Sequence, residues 1–505
     1  MSDWKLRWRW LLLAGAVGLH GAETRAAITV GTEFQVNSFT TGRQYFAGVA
    51  AAPNGAFVVV WTSAGQDGDY TGVFGQRYDS LGVKSGGEFQ INTFTPKNEM
   101  YAQVGVEPDG DFVVVWNRRL AISEADVFGQ RYSSAGVKLG SEFQVNTFTP
   151  NAQYYPAVAV DGNGAFVVVW TSYSQDGGGS DPGVFGQRFS SSGAKVGLEF
   201  EVNTYTPGAQ KTVAIGMESN GDFVVSWDSP NDADSSFGVR AQRWSSAGAK
   251  LGLEFAVNAY TTDGQYGSAL GLDADGDFVV VWTSFGQDAP GGAGVFGQRY
   301  DSAGAKVGGE FQVNTVAAGA QYIPRFNSAP RGVAIDTNGD FVVVWTGTTG
   351  ILGQRFASTG AKLGSEFQIS VYPGAIHNRA ATAMEANGDF IVAWNSDPHD
   401  GSEYGVFARR FAFVRELDID DNTQVDPLTD GLLVLRRLFG FSGPSLVTGA
   451  VGNGCLRCDS ASIASYIDSI LAILDIDSSG ELEPLSDGLL ILRRLFGFSG
   501  ATLIN

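Results

Sequence analysis

The pentapeptide Phe-Val-Val-Val-Trp, or a near copy of it, ends at Trp61, Trp116, Trp170, Trp227, Trp282, Trp345 and Trp394. A recurrence at roughly 55 residues lies in the range of propellers, solenoids and arrays, so the repeat rather than the 505-residue length sets the architecture. The third unit shows the grammar. Residues 155–160 alternate and run into Asp161-Gly-Asn-Gly164, a hairpin turn signal in which Gly accepts the positive φ that such turns demand. Residues 165–170 then form a strand apolar on both faces, as expected where neighbouring sheets cover each side. Val184-Phe-Gly-Gln-Arg-Phe189 gives a third strand, Ser190-Ser-Ser-Gly193 a turn, and Leu198-Glu-Phe-Glu-Val-Asn203 a fourth. Four antiparallel strands per repeat is the size of a propeller blade.

The fourth-strand motif Glu-Phe-x-Val-Asn, with variants, starts at Glu33, Glu88, Glu142, Glu199, Glu254, Glu310 and Glu366. Its first copy precedes the first Trp strand. Pairing of residues 33–37 with the sheet that ends at Phe411 would therefore close a seven-bladed ring and remove its open edges. Within that ring the Trp residues are expected to pack between blades. The recurrent Gln-Arg dipeptides, such as Gln187-Arg188, are expected to place each Arg in a structural ion pair with a Glu on the adjacent strand.

The net charge of -20 argues against nucleic acid or an anionic membrane as partner, because both demand clustered Lys and Arg. Lys5, Arg7 and Arg9, then an apolar run from Trp10 to Leu19 and small residues, have the form of a secretory signal. Cleavage is placed after Ala26, with Ala27 or Ala22 as alternatives. That run is shorter than the roughly 20 residues of a spanning helix, and no later segment is long and apolar enough, so no span is expected in the mature chain. Cys455 and Cys458 are the two cysteines; a local disulfide is the reading that suits an exported chain, with a redox or zinc site as alternatives.

Loops on a rigid scaffold carry function more often than its strands. Gln44, Gln153, Gln265 and Gln321 recur at one loop face with Tyr45, Tyr154, Tyr266 and Tyr322 beside them, and Glu99, Gln210 and His377 occupy the same column. Amides with aromatic rings suit a glycan or peptide, because rings stack on apolar faces while amides donate and accept hydrogen bonds. The competing reading has these residues terminate strands around a wet channel. Segments 117–126, 229–236, 321–331 and 397–404 break the symmetry of the face. His377 and His399 are the histidines of the mature chain, and no nucleophile with its base and no zinc spacing is legible. No catalytic residue is assigned; a carboxylate pair for glycoside hydrolysis is set by distance in space and stays open.

From Glu416 the composition changes. Residues 417–430, LDIDDNTQVDPLTD, lead into GLLVLRRLFGFSG, and residues 474–487, LDIDSSGELEPLSD, lead into GLLILRRLFGFSG. Hard oxygen ligands two residues apart in a tight loop are what Ca2+ requires. The first loop offers Asp418, Asp420, Asn422, Asp426 and Asp430 with the Gln424 carbonyl; the second offers Asp475, Asp477, Ser479, Glu483 and Asp487 with the Glu481 carbonyl. About two ions are expected. This tail resembles a dockerin-type module, in which two calcium loops, each followed by a helix, pack as a pseudo-twofold pair. The closing acids fall at loop position 13, where the EF-hand spacing has 12, and Asn422-Thr423 lacks the Gly that Gly480 supplies. The resemblance implies a cohesin-like or cell-surface docking partner.

The sequence thus predicts a mainly β chain: a signal peptide over 1–26, a seven-bladed β-propeller over 27–414, and a small α-helical calcium-binding C-terminal domain over 415–505. The expected role is an exported binding or display protein, secreted, at the cell surface or periplasmic. Its alternatives are a polysaccharide-active enzyme docked through its tail and a purely structural surface protein.

Overall fold

Strand order follows from residues that repeat. Each Phe-Val-Val-Val-Trp segment is the second strand of its unit, and both of its faces are covered. Phe57, Val59 and Trp61 pack with Ala381 and Ala393, whereas Val58 and Val60 pack with Val104 and Trp116 of the next unit. All seven Trp are fully buried, which makes them the interblade core. In the third unit the strands are Gln153–Val160, Phe166–Tyr173, Pro182–Phe189 and Lys195–Glu201, paired in chain order and antiparallel. Asp161 holds the first turn, its Oδ1 accepting from the Asn163 and Ala165 amides at 2.8 and 2.9 Å, with Gly164 at φ +81°.

The computed structural model describes residues 28–495 except 81, 122–123, 178–180, 231–235, 290–291, 317–318, 324–330, 414–416, 423–425, 453–454 and 475–481. The signal-peptide expectation lies outside the described residues. Two compact units separate, one of residues 28–412 and one that contains residues 413–505.

The larger unit is a β-propeller. Its strands fall into four sheets of four strands, one of five and one of eight. The expectation of seven separate blades needs correction here. Five sheets carry one copy of the repeat each, and the other two copies share the eight-stranded sheet through a parallel pairing of Thr71 with Asn98. The same parallel contact recurs between other units as isolated bridges, Ala125 with Ala152 and Ala293 with Ala320; in the second unit strand Asn98–Val106 starts one residue earlier and takes the bridge into the sheet, followed by strands Phe112–Ala121 and Glu124–Tyr132. Segment 117–126, expected as a loop, is therefore largely strand. The chain ends meet where Phe34–Gln35 pairs antiparallel with Gly405–Phe413.

The Glu-Phe-x-Val-Asn motif is a latch between units. Glu88, Glu142, Glu199, Glu254, Glu310, Glu366 and Glu33 each accept, through Oε2, the amide just past the motif's last residue in the preceding unit, at 2.5 to 2.9 Å. The last of these, Val371 to Glu33, joins the two chain ends. The Arg of the Gln-Arg dipeptides departs from expectation. Arg77, Arg188, Arg243 and Arg299 donate to backbone carbonyls in a turn of the next unit, at Ser134, Ser246, Ala303 and Ser358. Those Glu residues are already engaged by amides, so the guanidinium finds carbonyls; Arg410 alone among these adds a carboxylate, Glu385 at 2.8 Å.

The C-terminal unit has helices Asp430–Leu438, Pro444–Val447, Ser460–Ser469, Leu471–Leu474 and Asp487–Leu495 among the described residues. They share a core of Ile419, Leu433, Val434, Leu446, Ile463, Ile467, Leu474 and Ile491. The first and last helices meet closely at Gly488, where a Cβ would come within 2.8 Å of Leu435 Cδ1. Asp459 caps the third helix by accepting from the Ala461 and Ser462 amides at 3.0 and 2.9 Å. Cys455 and Cys458 are joined in a disulfide. No helix among the described residues is long and apolar enough to cross a membrane.

Candidate functional sites

The first acidic loop gathers three buried carboxylates. Oxygens of Asp418, Asp420 and Asp430 lie within 4.8 Å of one another, and all three side chains are buried. Asp430 opens its helix; its Oδ1 accepts from the Ile419 and Asp420 amides at 2.6 and 3.2 Å, and its Oδ2 from the Asp426 amide at 2.8 Å. Burial pushes its carboxyl up to about 6, against the pull of those amides. Asp420 Oδ2 accepts from the Gly452 amide at 2.5 Å, while its Oδ1 is buried with no hydrogen-bond partner. Three converging carboxylates, one with an orphaned oxygen, are costly unless a cation joins them, so these residues fit a hard divalent ion. Asn422 is part-buried and donates to Asp420 at 3.3 Å, and Asp426 is part-buried beside the cluster. Gln424 lies outside the described residues, as do Asp475, Asp477, Ser479 and Glu481. What is described of the second loop copies the first: the Glu483 amide donates to Asp487 Oδ2 at 3.0 Å, and Asp487 is buried.

The amides predicted for the propeller face are turned into the fold. Gln44, Gln153, Gln265 and Gln321 are almost completely buried. Their Nε2 atoms donate to loop carbonyls of Thr41, Pro150, Thr262 and Val316, at 2.6 to 3.2 Å. Their Oε1 atoms accept from Asn37, the Trp170 indole, Asn258 and the Trp345 indole. Chain reversal leaves a loop carbonyl in need of a donor, which the Gln supplies in all four units, and in two of them it also satisfies the indole N–H, of Trp170 and Trp345. Tyr45, Tyr154 and Tyr266 are half-buried and Tyr322 is exposed, so the rings stay available where the amides do not. In the same column Glu99 is fully buried and ion-paired to Arg118 at 2.6 Å; Arg118 also reaches Glu142 at 2.5 Å. Burial raises the Glu99 carboxyl to about 7 despite that guanidinium.

Two residues beyond each Gln, the innermost strands carry a feature that sequence reasoning passed over. Phe46, Tyr101, Tyr155, Thr212 and Arg379 all adopt left-handed φ between 56 and 62°, and Gly267 has φ 71°. Each sits where the register slips between the first and second strands. The preceding unit holds several of these bulges: Asn395 accepts from the Phe46 amide at 3.3 Å, Asn117 from Tyr155 at 2.9 Å, and Asp228 from Gly267 at 3.0 Å. On one side the bulge side chains form a continuous stack in which Tyr101, Tyr155 and Arg379 are half-buried and Phe46 is buried. Arg379 lies 4.3 Å over the Phe46 ring, Phe46 and Tyr101 are 4.4 Å apart, Tyr101 and Tyr155 4.8 Å, and Tyr154 flanks Tyr155 at 5.5 Å. The Tyr101 and Tyr155 hydroxyls share a hydrogen bond. Left-handed bulky residues cost of order 1–3 kcal/mol each and persist where the surroundings over-determine them, commonly at ligand clamps. Aligning the repeats on Trp and reading the column two past the Gln would have exposed the aromatic run, though not its backbone.

No protein-family model matches the chain, and no curated protein does. Among solved structures, the chain is similar to a polysaccharide lyase described as an ulvan lyase, with TM-score 0.48, 10% identity, and 76% of this chain and 96% of that one covered. It is similar to the β-propeller domain of the Trilobed protease from Pyrococcus furiosus, with TM-score 0.45, 9% identity, and 74% and 94% covered. A third likeness is to an α-L-arabinofuranosidase of Fusarium graminearum, with TM-score 0.42, 12% identity, and 77% and 99% covered. At these scores the likenesses carry no argument about activity.

Proposed function

We propose that this chain is an exported carbohydrate-recognition protein whose seven repeats act as the blades of one ring, and whose tail is a calcium-held, dockerin-like module for attachment to a cohesin-like or cell-surface protein. The observation that carries the recognition half is the half-buried run of Arg379, Tyr101 and Tyr155, stacked through Phe46 beneath them. Rings stack on the apolar faces of sugars, and the guanidinium and phenol hydroxyls supply the directional contacts. The test is retention of the full chain on immobilised polysaccharides. The Tyr101→Ala/Tyr155→Ala variant is expected to lose retention at least tenfold, about 1.4 kcal/mol, while keeping its β circular dichroism signal. Equal retention by a folded variant sinks the reading.

Calcium rests on the buried triad of Asp418, Asp420 and Asp430, with Asn422, the Gln424 carbonyl and Asp426 completing the set, and on the parallel set Asp475, Asp477, Ser479, Glu481, Glu483 and Asp487. Bound Ca2+ would neutralise the converging carboxylates and fix each loop to its helix. A ligand that binds only the folded state stabilises it by mass action, so calcium should raise the unfolding temperature of the tail. Asp418→Ala together with Asp475→Ala is expected to abolish that rise in the full chain and spare the propeller transition; an unchanged calcium response in this double variant rejects the site.

A second reading, a polysaccharide-active enzyme, draws on Glu99, whose carboxyl is raised to about 7 two residues from Tyr101, in the range that suits a general acid. It requires release of products from the retained polysaccharide and their loss in Glu99→Gln. Binding without products favours the recognition protein.

A further inference from the structure

The innermost strands line an open channel of about 300 Å3, where side chains such as Ala51, Val106, Val158, Leu272 and Ile335 are apolar and main-chain polar atoms face the space between them. Among the described residues that line it, Arg331 is the one that carries a charge. Its side chain crosses the ring. Nε donates to Gln103 Oε1 at 3.2 Å and Nη2 to the Val158 carbonyl at 2.9 Å, on strands distant in the chain. Nη1 makes no hydrogen bond to the described residues. No carboxylate of those residues pairs with this guanidinium, and burial lowers its pKa to about 10.

The residue also breaks the repeat. Counting two positions back from the strand partner of the residue two before each Trp, the other units have Ala47, Ala102, Pro156, Val213, Ser268 and Ala380. Small or apolar side chains suffice to build this place six times. Arg331 is part-buried, with no counter-charge among the described residues, and a guanidinium with an N–H group left open to the channel is shaped for the paired oxygens of an oxyanion.

We propose that Arg331 is the anchor of an oxyanion site in the channel, taking a carboxylate or sulfate group. The group would come either from a free inorganic or small organic ion or from an acidic sugar residue. The site is separate from the aromatic stack and does not rest on it.

The experiment is thermal unfolding and calorimetric titration of the full chain with sulfate, acetate and glucuronate, each against chloride at fixed ionic strength and fixed calcium. At least one oxyanion should raise the unfolding temperature of the propeller in a saturable manner, and Arg331→Met should abolish the rise. A response to sulfate or acetate identifies a free ion, and a response to glucuronate alone identifies an acidic sugar; both support the site. Absence of any oxyanion response in the native chain overturns it, as does an equal response in Arg331→Met. Should that variant fail to fold, Arg331→Lys keeps the charge and loses the fork, with affinity expected to fall about tenfold; unchanged affinity overturns the proposal. Polysaccharide retention by the Tyr101→Ala/Tyr155→Ala variant is read separately, so either idea fails alone.

Discussion

The side of the inner ring that runs through Arg379, Phe46, Tyr101 and Tyr155 and the side that runs through Thr212 and Gly267 are built on equivalent first strands and carry different side chains. Five of the non-glycine and glycine bulges among them share the left-handed turn with Arg379, and in both halves a side chain of the preceding unit receives the bulge amide, Asn117 for Tyr155 and Asp228 for Gly267. The backbone device is thus independent of what it displays. One side spends it on stacked rings and a cation; the other displays little. A scaffold repeated for packing can differentiate through one column of residues without disturbing its core.

The comparison breaks first if the two halves are not equally built. Trp116→Ala and Trp282→Ala, one in each half and both fully buried, should each destabilise the propeller by about 3–5 kcal/mol in denaturant titration. A large inequality between them would show that the scaffold itself is asymmetric.

A smaller effect should distinguish the halves by pH. Asp228 is fully buried, accepts from the Gly267 and Ser268 amides at 3.0 and 3.3 Å, and has its carboxyl raised by burial to about 7. The folded state therefore holds this proton more tightly than the unfolded chain, whose carboxyl has the ordinary Asp value near 3.8. Stability from this group is present below the unfolded value and is lost as pH rises towards 7. Asn117 and Asn395 do the same work without titrating. Asp228→Asn should accordingly show a shallower fall in unfolding temperature between pH 5 and 8 than the native chain; parallel curves would refute the assignment.

The smallest effect concerns the bulge. Gly267→Ala should cost about 1 kcal/mol, since φ 71° suits glycine, and Thr212→Gly should gain a few tenths to about 1 kcal/mol if its left-handed turn is strained. Chemical denaturation of both variants gives the two signs, and a stabilised Gly267→Ala would mean that the turn relaxes.

Turns such as Asp161-Gly-Asn-Gly164 and the two-sided Trp strands were legible because each depends on residues adjacent in the chain. The amides of Gln44, Gln153, Gln265 and Gln321 left two readings open in the sequence, ligand contacts or strand ends, and the structure buries them. Their column is regular for a structural reason, the need of a carbonyl and of an asparagine or indole for a partner, and regularity alone does not separate that from binding. Arg188 and its equivalents were assigned to Glu for want of knowing that the Glu oxygens were already taken by amides. In the tail, the helix Ser460–Ser469 gives way at Ile470 to a second, Leu471–Leu474, a break for which the local pattern carries no signal.

What the sequence determined by itself was the repeat with its strands and turns, because alternation and turn chemistry act over a few residues. Tertiary structure alone decided that Phe46, Tyr101, Tyr155 and Arg379 form one stack, that neighbouring units bridge at Thr71 and Asn98, and that Arg331 reaches Gln103 and Val158. Those contacts join residues dozens to hundreds of positions apart, and their geometry exists only once the inner strands converge on a common channel and force bulky side chains into left-handed turns around it.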